Sequence, residues 1–391
     1  MLKFPVLGWV FFCLFVSGCQ TTKIYKTELN QTPESLLKDE LFIGQEAVYI
    51  EPPQEIFALT DDIKKTVRGK VLIEKDFHAR SVKLIKFIFG TDSNNLAYRS
   101  NATMIAQDAY NQKTANCISL TILAYSLAEL AGLDAEFQDV RVPEYWVRNG
   151  DYNMLSGHVN LQIKRPKQVS SLLLFDSKGI EVDFDPFIQK QNFPKTPVSK
   201  NTVTAMFYNN KGAMALVDKN YIEAYRYFKA AIEVEPKYHA SWANLGILYR
   251  FNDHVNLAEQ SYRHAIAIDP NSLNTLTNLS ILLEMRGDFD ESRKIDSAII
   301  KHRINNPYYH ALLADEAMYD GLPYQAIKHF KRAINLDSRL HELYFGLAKA
   351  YTATGNNEKA QSAMRKAIKT NRIQSIDDKY IAKLDLLRRR D

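Results

Sequence analysis

The stretch Trp242-Ala243-Asn244-Leu245-Gly246-Ile247-Leu248-Tyr249, followed by Ala258, Tyr262, Ala265 and Pro270, decides the architecture of the C-terminal half of this chain. Its residues recur. Ala224, Ala258, Ser292, Ala326 and Ala360 stand 34 residues apart. Four positions after each come Phe228, Tyr262, Asp296, Phe330 and Met364, and three further on Ala231, Ala265, Ile299, Ala333 and Ala367. Twelve positions before the alanine series stand Gly212, Gly246, Ser280, Ala314 and Ala348, and four before those Tyr208, Trp242, Leu276, His310 and Tyr344. Small residues are needed where two helices approach closely, and a large aromatic fills the hole beside them. A unit this short cannot bury its apolar face alone, so neighbouring units must stack. Pro236 and Pro270 close their units because proline cannot continue a helix. The third unit is degenerate on its second helix, where Ser292 and Asp296 replace alanine and an aromatic, but the register holds.

This pattern resembles the tetratricopeptide repeat, a helix-turn-helix unit. It predicts five repeats over residues 201–374 and a polar-edged capping helix over 375–391. The resemblance implies a groove lined by first helices, in which the family binds a protein or peptide partner. Asn244, Asn278 and His310 fall on those helices. The seven histidines after residue 200 lack ligand spacing with Cys or Asp/Glu, so no metal and no cofactor is expected.

Residues 55–200 read differently, as an α+β unit. Apolar spacing predicts helices over 55–68, 77–89 and 96–108. Residues 118–131 predict a buried central helix stopped by Gly132. The period then changes to two, which predicts strands over 135–142, 157–163 and 172–175, with Tyr145 and Trp146 in a loop near the cleft. Cys117, in Asn116-Cys117-Ile118-Ser119, opens the central helix. A helix N-terminus favours negative charge and supplies backbone N–H donors for an oxyanion. His158, in Gly157-His158-Val159, starts one strand, and Asp176, in Phe175-Asp176-Ser177, ends the next. A cysteine nucleophile needs an imidazole to take its proton, and the imidazole needs a carboxylate to fix its tautomer. Asp183 and Asp185, in Val182-Asp183-Phe184-Asp185-Pro186, are rival carboxylates. A cysteine alone on an apolar helix would read as a small packed hydrophobe.

Over roughly residues 60–190 the chain resembles the transglutaminase-like superfamily, a circularly rearranged relative of papain-like cysteine proteases. The resemblance rests on Asn116-Cys117, Gly132-Leu133, Gly157-His158-Val159 and Phe175-Asp176. It implies Cys117 as nucleophile, His158 as general base and acid, and Asp176 as the orienting group. Asn160 and Ser177 depart from the family pattern, which often has an aromatic two residues after the histidine and Pro or Thr after the aspartate.

At the N-terminus, Lys3 precedes an apolar stretch over 4–16 that ends in Val16-Ser17-Gly18-Cys19. The stretch is too short to span a bilayer, which needs roughly 20 residues. It reads as a secretory signal. Small residues before a cysteine resemble the lipobox of bacterial lipoproteins. That implies a signal peptide and lipobox over 1–19 cut before the cysteine, lipidation of Cys19, a tether over 20–54, and attachment to the cell envelope. Gln20 after the cysteine implies the outer membrane, facing the periplasm. Composition fits this picture. The 391 residues carry 50 Lys+Arg against 45 Asp+Glu and are 46% hydrophobic. That balance excludes a disordered or polytopic membrane protein and gives no footprint for nucleic acid. The expected function is a lipid-anchored cysteine protease or amidase with a protein-binding solenoid. The competing expectations are an inactive scaffold or assembly factor of the envelope and, more weakly, a peptidoglycan amidase.

Overall fold

The computed structural model describes residues 32–89, 97–99, 102–149, 152–164, 179–184 and 193–371, together with Tyr380, Ile381, Lys383, Leu384 and Leu387. The signal, Cys19 and the strand expected over 172–175 lie outside these residues. Among the described residues no helix is long and apolar enough to cross a membrane.

The α+β unit begins with α1 (Pro53–Ile56), α2 (Asp61–Lys70) and α3 (Phe77–Phe89). The single helix expected over 55–68 is therefore two. Thr60 interrupts it and caps α2, its hydroxyl accepting from the Ile63 N–H. The helix expected over 96–108 is also corrected. Ala97–Tyr98 forms β1, paired in parallel with β2 (Thr114–Ala115), and helix α4 covers only Ala106–Gln112. The extended residues between them serve α5 (Cys117–Leu130). Ala102 C=O accepts from Asn116 N–H, and Met104 N–H donates to Ser119 Oγ at 2.9 Å. Ten residues of α5, from Ile118 to Ala128, are buried. Gly132, with φ of +67°, turns the chain out of the helix as the sequence predicts.

A four-stranded antiparallel sheet packs on α5, in the order β7-β6-β3-β8, from β3 (Ala135–Val140), β6 (Val159–Ile163), β7 (Ile180–Val182) and β8 (Lys195–Val198). Phe137 of β3 stacks on Tyr125 of α5 with ring centroids 4.4 Å apart. Between β3 and β6 the chain makes a two-stranded ribbon, β4 (Tyr145–Asn149) and β5 (Tyr152–Ser156). Tyr145 and Trp146 thus lie on a strand, not in the expected loop.

Five helix pairs follow: α6 (Lys200–Val217) with α7 (Tyr221–Val234), α8 (His239–Phe251) with α9 (Val255–Ile268), α10 (Leu273–Arg286) with α11 (Phe289–Arg303), α12 (Pro307–Tyr319) with α13 (Pro323–Leu336), and α14 (His341–Ala353) with α15 (Asn357–Thr370). The small-against-aromatic pattern is physical. A Cβ added to Gly212 would meet Phe228 at 2.7 Å, and one added to Gly246 would meet Tyr262 at 2.6 Å. In the third pair the aromatic is replaced by a polar contact, Ser280 Oγ to Asp296 Oδ1 at 2.6 Å and to Ser292 Oγ at 2.9 Å. Beyond the last pair, Tyr380, Leu384 and Leu387 are buried on the core of the final repeats, and Tyr380 stacks on Phe345 at 4.9 Å.

The α+β unit runs straight into the first repeat. Ser199 caps α6 directly after β8, and Phe207, Tyr208 and Tyr227 share one core with Ile118 and Leu120. The described part of the expected tether is not extended. Short turns at Pro33–Leu36, Asp39–Leu41 and Gln45–Ala47 run over α7 and α9. Leu36 and Phe42 enter the repeat core, and Phe42 stacks on Tyr225 at 4.3 Å. Burying two such side chains contributes about 1.5–3 kcal/mol each. Lys229 pairs with Asp39 at 2.6 Å, and the Tyr249 hydroxyl donates to Leu36 C=O.

Candidate active site

Asn116 sets the site. Its Oδ1 accepts from Ser119 N–H at 3.0 Å, which caps α5, and its Nδ2 donates to Thr103 Oγ1 at 2.7 Å. Cys117 becomes the first helical residue, a free thiol that is half-buried. As such, its backbone N–H is one of the first-turn donors that have no intrahelical acceptor. The sheet delivers the imidazole. Val140 N–H donates to His158 C=O at 3.0 Å and fixes the start of β6, and Thr121 Oγ1 of α5 donates to Val159 C=O at 3.1 Å. The Cys117 thiol lies close enough to the His158 ring to raise the imidazole.

Asp183 is the carboxylate on this ring. His158 Nε2 lies 2.9 Å from both of its oxygens, and both side chains are buried, each 2% exposed. Asp176, the residue expected here, lies outside the described residues, as does Asp185. Asp183, a rival carboxylate in the sequence, follows β7 directly. A carboxylate only accepts, so Nε2 carries a proton toward Asp183. Burial pulls the imidazole down, but the Asp183 bond and Cys117 outweigh it, raising His158 to about 10. Asn160, noted in the sequence only as a departure from the family pattern, donates Nδ2–H to Asp183 Oδ2 at 3.0 Å and is fully buried. An asparagine alternating with buried apolar residues on a core strand was the available signal.

The solenoid reaches this centre. Asp139 of β3 is raised by burial against the opposing fields of Arg141, His239 and His158, and His239 opens α8. Residues expected to line the groove are committed within it. Asn244 bonds Asn209 at 2.9 Å, Asn278 bonds Asn274 C=O at 3.2 Å, and His310 is buried on Ile304 C=O at 2.9 Å. The β4–β5 ribbon lies against the first-helix side, with Trp146 beside Tyr309 at 6.4 Å and Tyr145 beside Tyr308 at 5.8 Å. Sequence reading missed this contact. Among the described residues no cluster of His, Cys, Asp and Glu could hold a metal ion.

A family model, the tetratricopeptide repeat, matches residues 239–272 and 341–373. This chain carries tetratricopeptide repeats. Among relatives, the chain is 31% identical over 87 residues to the N-terminal acetyltransferase A complex auxiliary subunit NAA15 of Arabidopsis thaliana, covering 21% of this chain and 10% of the relative. It is 22% identical over 139 residues to the tetratricopeptide repeat-containing protein trd-1 of Caenorhabditis elegans, covering 34% of this chain and 18% of the relative. The chain thus spans less than a fifth of these curated relatives. Among solved structures, a thermophilic tetratricopeptide protein of Thermus thermophilus aligns at 16% identity over 47% of this chain and 98% of its own, with a TM-score of 0.30.

Proposed function

We propose that the α+β unit is a cysteine hydrolase of the transglutaminase-like kind, acting on a peptide or carboxamide bond, in an envelope protein anchored through Cys19. The observation that carries this reading is the contact chain Cys117, His158, Asp183, drawn from a helix start, a strand start and a strand end. With His158 held protonated at neutral pH, the Cys117 sulfur attacks the carbonyl carbon with its proton already on the ring. The carbonyl oxygen becomes an oxyanion facing the Cys117 N–H. His158 returns the proton to the leaving nitrogen, the C–N bond breaks and a thioester remains. Water then gives a proton to His158 and adds to the thioester, and the sulfur leaves as a thiolate while that proton stays on the ring. Asp183 stays charged and holds the ring through both halves. Release to water makes the enzyme a protease or amidase, and release to an amine would make it a crosslinker. The tetratricopeptide stack supplies the protein-binding surface in this reading.

The test is alkylation of the full chain in membranes by a peptide-based cysteine electrophile, with Cys117→Ser as control. An adduct at Cys117 that disappears in the variant and slows in His158→Ala supports the hydrolase. Labelling that is slow and indifferent to His158→Ala leaves a non-enzymatic scaffold of the envelope.

A further inference from the structure

We propose that the groove between α13 and α15 is a docking site of the kind that the chain's own N-terminal turns fill between α7 and α9, and that it takes a polypeptide turn in which two carboxylates flank an apolar side chain. Its walls are second helices, so it is separate from the groove lined by first helices. None of this depends on the Cys117 chemistry.

The filled groove supplies the template. Leu36 enters the repeat core, and the Tyr249 hydroxyl of α8 donates to its C=O. Lys229 of α7 holds the Asp39 carboxylate at 2.6 Å. The turn Pro33–Leu36 lies on α9, where burial lowers the His264 imidazole and the charge of Glu34 opposes it. The bound element is thus Glu34, Leu36 and Asp39 in sequence, an apolar side chain between two acids. Its carboxylates face basic side chains on the two walls, and its backbone meets a tyrosine on the helix between them.

The 34-residue period carries this set forward. Three repeats on, Tyr351 stands in the place of Tyr249, Lys331 in that of Lys229 and Lys366 in that of His264. The intervening grooves lack the set. In the next one Arg263 takes the lysine position, but Glu259 and Glu291 pair with it, and Leu283 replaces the tyrosine. In the one after, Ser297 and Ala317 stand at the two positions. Between α13, α14 and α15 lies a cavity of about 320 Å³, lined by Lys331, Lys359, Lys366 and Tyr351 with the apolar Ile334 and Leu347. Ligand pockets run from about 300 to 1,000 Å³, so this one suits a single side chain with its flanking backbone. Among the described residues no carboxylate lines it, no ion pair holds the three lysines, and the Tyr351 hydroxyl has no acceptor. The ammonium groups of Lys331 and Lys359 each lie 5.9 Å from the Tyr351 ring, and that of Lys366 lies 5.9 Å from the Tyr344 ring. Like charges gathered at one small cavity repel, and an arriving carboxylate relieves that repulsion.

The experiment uses the purified full chain and a fluorescent synthetic peptide with the sequence of residues 32–43, read by anisotropy. One saturable site is expected. Lys331→Glu/Lys366→Glu, at two exposed positions, is expected to weaken binding about tenfold or more with the helical signal kept. Tyr351→Phe is expected to weaken it about threefold. Lys229→Glu, which alters the filled groove, is expected to leave it unchanged, and a peptide carrying Leu36→Asp is expected not to bind. No saturable binding, equal binding of a scrambled peptide of the same composition, or full binding to Lys331→Glu/Lys366→Glu overturns the proposal. Binding that Lys229→Glu alone abolishes also overturns it, since the peptide is then exchanging with the chain's own turn. Capture of phosphatidylglycerol vesicles without peptide binding, lost in Lys331→Glu/Lys366→Glu, overturns it in favour of an anionic membrane surface.

Discussion

Within the solenoid, large residues find their pockets inside one repeat: Phe228 closes on Gly212, and Tyr262 on Gly246. In the α+β unit, Cys117, His158 and Asp183 come from a helix and two strands separated by a ribbon and by the chain between β6 and β7. Dispersion and apolar burial hold the first set of contacts, and a buried polar chain holds the second set. Apolar contacts tolerate repetition with variation, as the third repeat shows by replacing an aromatic with the Ser280–Asp296 bond. A buried polar chain tolerates little, because each unpaired member costs its full desolvation.

The comparison breaks most visibly at His158. His158→Ala is expected to slow alkylation of Cys117 by about 10²–10⁴-fold while the helical signal of the repeats is kept. A loss of solenoid structure in the same variant would show that the two regions are not separable. Next in size, Trp242→Ala should cost about 3–5 kcal/mol in denaturant unfolding, since Trp242 is 1% exposed, with Cys117 reactivity unaffected in the folded fraction. Asp296→Ala tests the polar substitute in the third repeat. It should cost about 1–3 kcal/mol, whereas Ser280→Gly/Asp296→Tyr, which restores the glycine-aromatic pair, should recover most of that loss. A further effect is on pH. His158 is raised from 6.5 to about 10 in the folded chain. Its stabilising contribution is therefore complete below about pH 6.5, declines as pH rises, and is gone above about 10. The difference in unfolding free energy between wild type and His158→Gln should follow that course. A difference that grows with pH would contradict the arrangement with Asp183.

The repeat was readable because its contacts are local and periodic. Gly246 and Tyr262 signal one another through fixed spacing. Cys117 and His158 were readable as a helix start and a strand start. The third member was not, since Asp183 and Asp176 both follow apolar strand-like runs, and spacing favoured the earlier one. Asn160 looked like an anomaly until its amide was seen on Asp183. Leu36 and Phe42 sit in a polar, proline-bearing stretch, and only the grooves between α7 and α9 give them a reason to fold.

By itself the amino-acid order determined the 34-residue stack, the buried helix behind Cys117 and the strand character around His158, because periodicity and capping act over a few residues. The tertiary structure alone decided that Asp183 meets His158, that the two units share one core, and that the ribbon leans on Tyr308 and Tyr309. Those contacts depend on which distant surfaces exclude water together, and a sum of local preferences does not contain that.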